Sequence, residues 1–194
     1  MNFLKKIFNK TLKENLEIKT HEVDLSLDDL FVHNFIAKGG KFLYCLEEKE
    51  LAIHLKSILS ENNWKKIFVT NPIVLPFLNQ KEIAVDSEFK KSNPFFTTCE
   101  HLIADHGDVL FSSNQLSSKK LSEFSDNFIV FAKTSQLVKN TGQGLTGIKA
   151  NAKHAIPTNI SAVKNYKINK TADNLLNYGN SNSKNLYLLL LEDL

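Results

Sequence analysis

The feature that most constrains this chain is a set of short apolar runs with almost no polar interruption: KFLYCLE at 41–47, KIFVT at 66–70, FIVFA at 128–132 and LYLLLLE at 186–192. A strand with one wet face alternates apolar and polar residues. A run without alternation has both faces covered, which is the pattern of parallel strands layered between other elements. The segments between these runs carry helical signals. Ser26 is placed to cap a helix with Asp28 and Asp29 in its first turn and Gly39-Gly40 at its end, and EKELAIHLKSILSENN (48–63) reads as a second helix. Asn71-Pro72 reads as a turn or helix start, followed by a short helical piece at Leu75–Leu78 and a strand, EIAV, at 82–85. The expected fold class is therefore α/β, a mainly parallel sheet flanked by helices.

With 194 residues, 42% of them hydrophobic, the chain can build one sizeable core. The expected organisation is an N-terminal amphipathic helix over 1–20 and a single α/β domain over 21–194. Phe3, Leu4, Ile7, Phe8, Thr11 and Leu12 share one face of that first helix, which docks on its own domain, on a partner or on a membrane surface. Its apolar runs are too short for a signal peptide or a membrane span, and a cytoplasmic location is expected. Cys45 and Cys99 stand far apart and outside any Cys/His cluster, so neither a disulfide framework nor a metal site is expected, and no cofactor is assigned. All 24 basic residues are lysine. Without the bidentate fork of arginine, an anion site here must use lysine point charges, backbone N–H groups or helix N-termini. A net charge of +3, with lysines spread along the chain, gives no basic stripe of the kind that follows a nucleic-acid backbone.

The stretch HLIADHGDVLFSSN (101–114) holds the candidate site. Cys99, Leu102, Ile103 and His106 fall at i, i+3, i+4 and i+7, one face of a helix, and Val109–Phe111 read as a strand, with His106, Gly107 and Asp108 at the junction. Two readings stand. In one, the carboxylates Glu100, Asp105 and Asp108 and the imidazole of His106 form a proton-transfer site. In the other, Gly107 terminates the helix, His106 sits against its dipole, and His101 and Asp105 are an ordinary i, i+4 pair. Two segments break the alternation of strands and helices: the Ser-rich 112–127, and 139–159, where Gly142, Gly144 and Gly147 match G-x-G-x-x-G by position. That fingerprint needs a buried strand before it and an acid about 20 residues on, so 139–159 is expected to be a surface loop or lid.

From Thr97 on, the order of residues resembles the lactate-utilisation protein C family, also called the LUD domain. T-C-E-H-L-I-A-D-H-G-D-V-L-F (Thr98 to Phe111) resembles the family's T-G-A-D-x-A-I-A-E-T-G-T-L-V-L, with Glu100 on its Asp, Asp105 on its Glu, His106 and Asp108 on its Thr residues and Gly107 on its Gly. FIAKGGKF (35–42) looks like the helix end before its first strand, and NFIVFAKTSQLV (127–138) like its central strand. NKTADNLLNYGNSNSKNLYLLLLED (169–193) resembles its closing segment, with Lys170, Thr171, Ala172 and Asp173 on Arg-Thr-Ala-Asp. Lys167-Ile168 and Ser181-Asn182-Ser183 replace Gly-Pro and His-Gly-Pro of the family, so glycines that let a backbone approach a ligand are missing from these positions.

The resemblance implies a fold like that of ribose-5-phosphate isomerase, glucosamine-6-phosphate deaminase and the CoA-transferases, and an accessory role in oxidising lactate to pyruvate alongside iron–sulfur partner proteins. It implies a small anionic metabolite bound by Gly107, Lys170, Thr171 and Asp173, with Glu100, Asp105, His106 and Asp108 as the catalytic candidates. A stand-alone enzyme on a sugar phosphate or acyl-CoA, and an interaction module with a decayed pocket, are the alternatives. A homo-oligomer is left open.

Overall fold

The computed structural model describes residues 25–78, 83–86, 88, 90–91, 93–152, 155–167 and 182–194. The expected helix over 1–20 and the substrate-binding candidates Lys170, Thr171 and Asp173 lie outside the described residues.

Helix α1 (Leu27–Ala37) starts at Ser26, whose side chain accepts from the Asp29 N–H, and it ends at Gly39, where φ is 91°. Strand β1 (Lys41–Cys45) follows, then α2 (Glu48–Glu61), closed at its start by a reciprocal Glu47–Glu50 capping box. Next come β2 (Lys66–Val69), a 3-10 turn (Pro72–Phe77) capped by Asn71, β3 (Ala84–Asp86) and β4 (Phe95–Thr98). The segment expected to open as a helix is instead a β-hairpin, β5 (His101–Ile103) and β6 (Asp108–Phe111), joined through Ala104–Gly107. The chain then forms α3 (Ser113–Leu116), a 3-10 turn (Leu121–Glu123), β7 (Asn127–Lys133), β8 (Leu137–Val138), α4 (Thr141–Asn151), β9 (Ser161–Val163) and β10 (Asn185–Leu191).

Two sheets result. The larger is all parallel, in the order β1-β10-β7-β4-β2-β3, and the smaller runs β8-β5-β6-β9. In the larger sheet alternate residues enter different cores. Ile129, Phe131, Leu189 and Leu191 pack with Leu51, Leu55 and Ile58 of α2, while Phe128, Val130, Leu188 and Leu190 pack with Phe31 and Phe35 of α1 and with Leu102, Val109 and Phe111 of the hairpin. The hairpin's other face, Ile103 and Leu110, packs under Ile148 of α4. The layers are thus α2, the parallel sheet, the small sheet beside α1, and α4. Burying one such large side chain stabilises the fold by about 1.5–3 kcal/mol.

This stacking explains two departures from the expected elements and one break in their alternation. Both faces of β5 are covered, so Leu102 and Ile103 are both buried and the alternation that marks a strand is lost. The Ser-rich 112–127, which breaks the alternation, is anchored by its aromatic residue: Phe124 stacks on Phe95 with centroids 4.4 Å apart, and Phe128 just after it meets Phe95 edge to face at 5.2 Å. Within 139–159, 141–151 is helix α4, not a loop, and two of its glycines, Gly144 and Gly147, are packing devices. A Cβ on Gly144 would sit 3.1 Å from Ile103 Cδ1 and one on Gly147 would sit 2.7 Å from His101 Nε2, so these small residues let the helix lie close on the hairpin.

Candidate functional site

In an open parallel sheet, ligands bind beyond the carboxyl ends of the strands where the strand order reverses. Here the chain moves outward from β2 to the edge strand β3, then returns through β4 to β7 and β10. The reversal lies between the neighbours β2 and β4. Their carboxyl ends are polar: Asn71 Nδ2 donates to Thr98 Oγ1 at 3.0 Å, and Thr70 Oγ1 donates to the Gln115 carbonyl at 3.0 Å. A cavity of about 480 Å³ opens at this point, lined by Asn71, Thr98, Asn114, Lys133 and Gln136 among others. A second cavity, of about 460 Å³, lies against it, with Glu100, His101, Ser135 and Asn151 in its lining and Asn114 and Gln136 shared with the first.

Glu100 lies between β4 and β5. Its Oε1 accepts from Ser112 Oγ at 2.5 Å, Asn114 Nδ2 at 2.8 Å and Gln115 Nε2 at 3.1 Å, all from the turn that leaves β6. Ser112 is fixed in turn: its N–H donates to Gln115 Oε1, and its hydroxyl oxygen accepts from the Asn114 N–H. Gln136 ties the opposite wall, donating to the carbonyls of Cys99 at 2.7 Å and Glu100 at 3.2 Å. His101 turns Nδ1 to the Gln136 carbonyl, 3.2 Å away. Cys99 lies in the wall of the first cavity, but burial pushes its thiol well above the usual range and the charge of Glu100 adds to this, which disfavours the reactive thiolate.

Lys133 ends β7 with its side chain 45% exposed, and its amine stands 3.9 Å from Asp193. Burial raises the pKa of Asp193, but donors outweigh it. The N–H and hydroxyl of Ser135, the hydroxyl of Thr134 and the Lys133 charge hold this carboxyl below its ordinary value.

The remaining candidates sit at the far end of the hairpin. Asp105 and His106 are exposed in its turn. Asp108 is buried and paired with Lys38 Nζ at 2.8 Å. Gly107 adopts φ 65°, and a Cβ there would lie 2.6 Å from the carbonyl carbon of Asn34, inside the backbone of α1. Tyr166 Oη donates to the Gly107 carbonyl at 2.6 Å, and Asn34 donates to the Ala104 and Asp105 carbonyls. The structure therefore does not bring Glu100 together with Asp105, His106 and Asp108, and among these four only Glu100 lines either cavity.

The amide and hydroxyl residues that line the cavities, Asn71, Thr98, Asn114, Gln115 and Gln136, were not among the sequence candidates, and neither were Ser112, which holds Glu100, and Lys133. For Asn71, Thr98, Lys133 and Gln136 the signal is positional, since they lie at or just beyond the carboxyl ends of apolar strands of the parallel sheet, whereas Ser112, Asn114 and Gln115 follow β6 of the small sheet and carry no such signal. Among the described residues no group of three or more His, Cys, Asp or Glu side chains is arranged to hold a metal ion. No helix among them is long and apolar enough to cross a membrane.

These observations define an α/β protein with a polar crevice at the reversal point of a parallel sheet. The model of the LUD domain matches residues 27–191, and the chain belongs to that family. A solved structure of a DUF162 family protein from Deinococcus radiodurans aligns over 87% of this chain and 99% of its own with a TM-score of 0.60; at 14% identity this likeness bears on the fold alone. None of the curated proteins compared with the chain matches it.

Proposed function

We propose that this chain binds a small organic acid in the crevice beyond β2, β4 and β7, and that it serves as an accessory subunit in oxidising lactate to pyruvate. Oxidising a 2-hydroxy acid to a 2-oxo acid releases two electrons and two protons. In this reading the electrons pass to partner proteins that carry iron–sulfur clusters, as the resemblance to the lactate-utilisation family implies. The observation that carries the reading is the pair of adjoining cavities at the reversal point, with Lys133 among the residues that line one of them. Lysine is the cation such a site must use in a chain without arginine. Its 3.9 Å separation from Asp193 is a loose pairing that a ligand carboxylate can replace.

A larger ligand, a sugar phosphate or an acyl thioester, is the second reading. It is favoured by cavity volumes of about 460 and 480 Å³, which fall within the range that holds metabolite-sized molecules. A thermal-shift panel of lactate, pyruvate, sugar phosphates and CoA esters at millimolar concentration tests both. A ligand present at about 100 times its dissociation constant stabilises the native state by about 2.7 kcal/mol, and each kcal/mol moves the melting temperature of a chain this size by about 2–4 °C. Lys133→Ala should remove the shift. A melting curve unmoved by the whole panel would leave the interaction-module alternative.

A further inference from the structure

Among the described ion pairs no cation stands against Glu100, yet its carboxylate is held more firmly than an exposed acid needs. Three neutral donors converge on one oxygen, Oε1, from a single turn at 112–115. Oε2 has no hydrogen-bond partner among the described residues. A carboxylate oxygen only accepts, so a group placed beside it must bring a hydrogen. Because Oε1 is clamped, the orientation of Oε2 is set before any ligand arrives, which is the arrangement that converts a hydrogen bond into selectivity. The neighbouring donors do not compete for that role. Gln136 is engaged with two carbonyls, and His101 is seated between the Gln136 carbonyl and Gly147 of α4.

We propose that Glu100 is the specificity residue of the crevice, accepting a hydrogen bond through Oε2 from a ligand hydroxyl, so that the site takes a 2-hydroxy acid and rejects the matching 2-oxo acid. This rests on the small-acid reading above and adds the direction of its preference. Lactate and pyruvate have the same charge and nearly the same size, so Lys133 does not tell them apart. They differ at the one atom Glu100 reads: a hydroxyl donates to Oε2, whereas a carbonyl oxygen meets it lone pair to lone pair. A site built on a hydrogen bond to a hydroxyl discriminates strongly against the analogue that lacks it, because the site's own polar group is then left unpaired.

The substitution Glu100→Gln tests this closely. The amide oxygen can still take the three donors at Oε1, while the amide nitrogen replaces Oε2 and turns an acceptor into a donor. Calorimetric titration of the wild-type chain with L-lactate, D-lactate and pyruvate should show pyruvate at least about tenfold weaker than the better lactate enantiomer. In E100Q the preference should vanish or reverse. Equal affinities of the wild type for lactate and pyruvate would overturn the proposal and leave the small-acid reading standing. An E100Q variant that keeps the full wild-type preference while remaining folded by circular dichroism would overturn it too. Binding of none of the three acids would overturn both. The wild-type comparison needs no variant to fold.

Discussion

The two ends of the β5–β6 hairpin have similar polarity and different surroundings. At the tip the buried groups are committed, Asp108 to Lys38, the Gly107 carbonyl to Tyr166 and the Ala104 carbonyl to Asn34, while the side chains of Asp105 and His106 are exposed to water. At the base, Glu100 is committed on one oxygen and stands in a cavity wall. Both ends hold a carboxylate, so carboxylate count in a motif does not locate a site. What separates them is whether the polar capacity is used up within the fold. The tip locks the hairpin to α1, and the base presents a group to whatever enters the crevice.

The sharpest way to break this comparison is Gly107→Ala. The residue must take a left-handed φ, and its Cβ must displace the α1 backbone, so the expected loss of stability is about 3 kcal/mol or more in urea denaturation, with no change at the cavities beyond that loss. A loss under about 1 kcal/mol would mean that the tip is not a lock.

Next in size is the Lys38–Asp108 pair, where the two truncations should differ. Lys38→Ala strands a buried carboxylate and should cost about 2–3 kcal/mol. Asp108→Ala frees a lysine whose side chain is already 35% exposed and can turn to water, and it should cost about 1 kcal/mol. Equal effects would put the pair on the surface in energetic terms.

At the base, Glu100→Gln should change stability by no more than about 1 kcal/mol, since the three donors keep an acceptor. A larger loss would make Glu100 a structural residue like those of the tip.

The smallest effect belongs to Asp193. Its carboxyl titrates below its ordinary value in the folded chain, so the unfolded chain binds the proton more readily and the stabilisation is present above the unfolded value, near 3.8. It is lost as pH falls through the lower, folded value. Asp193→Asn should therefore flatten the acid limb of the stability profile and leave stability between pH 6 and pH 8 almost level with that of a Ser135→Ala control. Unchanged acid limbs would remove Asp193 from the anchoring of β7 to the end of β10.

Much of the fold was legible because the relevant signals are local. Ser26 with its two aspartates, Gly39 after α1, and the apolar runs that became β1, β2, β7 and β10 each report their own backbone. The hairpin was not, because its burial on two faces comes from layers distant in sequence, and Leu102-Ile103 then fits a helix face as well as a strand. Helix α4 was hidden by its glycines, which weaken their own helix and two of which serve a neighbouring surface. The site was half legible. Glu100 was visible as an acid in a suggestive motif, but its separation from Asp105 and Asp108 depends on the strand between them. Asn114 and Gln136 gain meaning only from the two cavities they share.

Helix α4 has a further consequence, in the time domain. A glycine inside a helix weakens it by roughly 1 kcal/mol relative to alanine, and this helix carries three. Among its side chains only Ile148 is buried. One anchored isoleucine is little to set against that deficit, so α4 should open and reclose many times for each global unfolding event, and its backbone amides should exchange with solvent well before those of β7 and β10. Ile148, Asn151 and Ala152 line the cavity that also holds Glu100. One wall of the crevice should therefore breathe while the opposite wall, with its clamped carboxylate, stays still, and a ligand that fills the space should be recorded first as slowed exchange in residues 141–151.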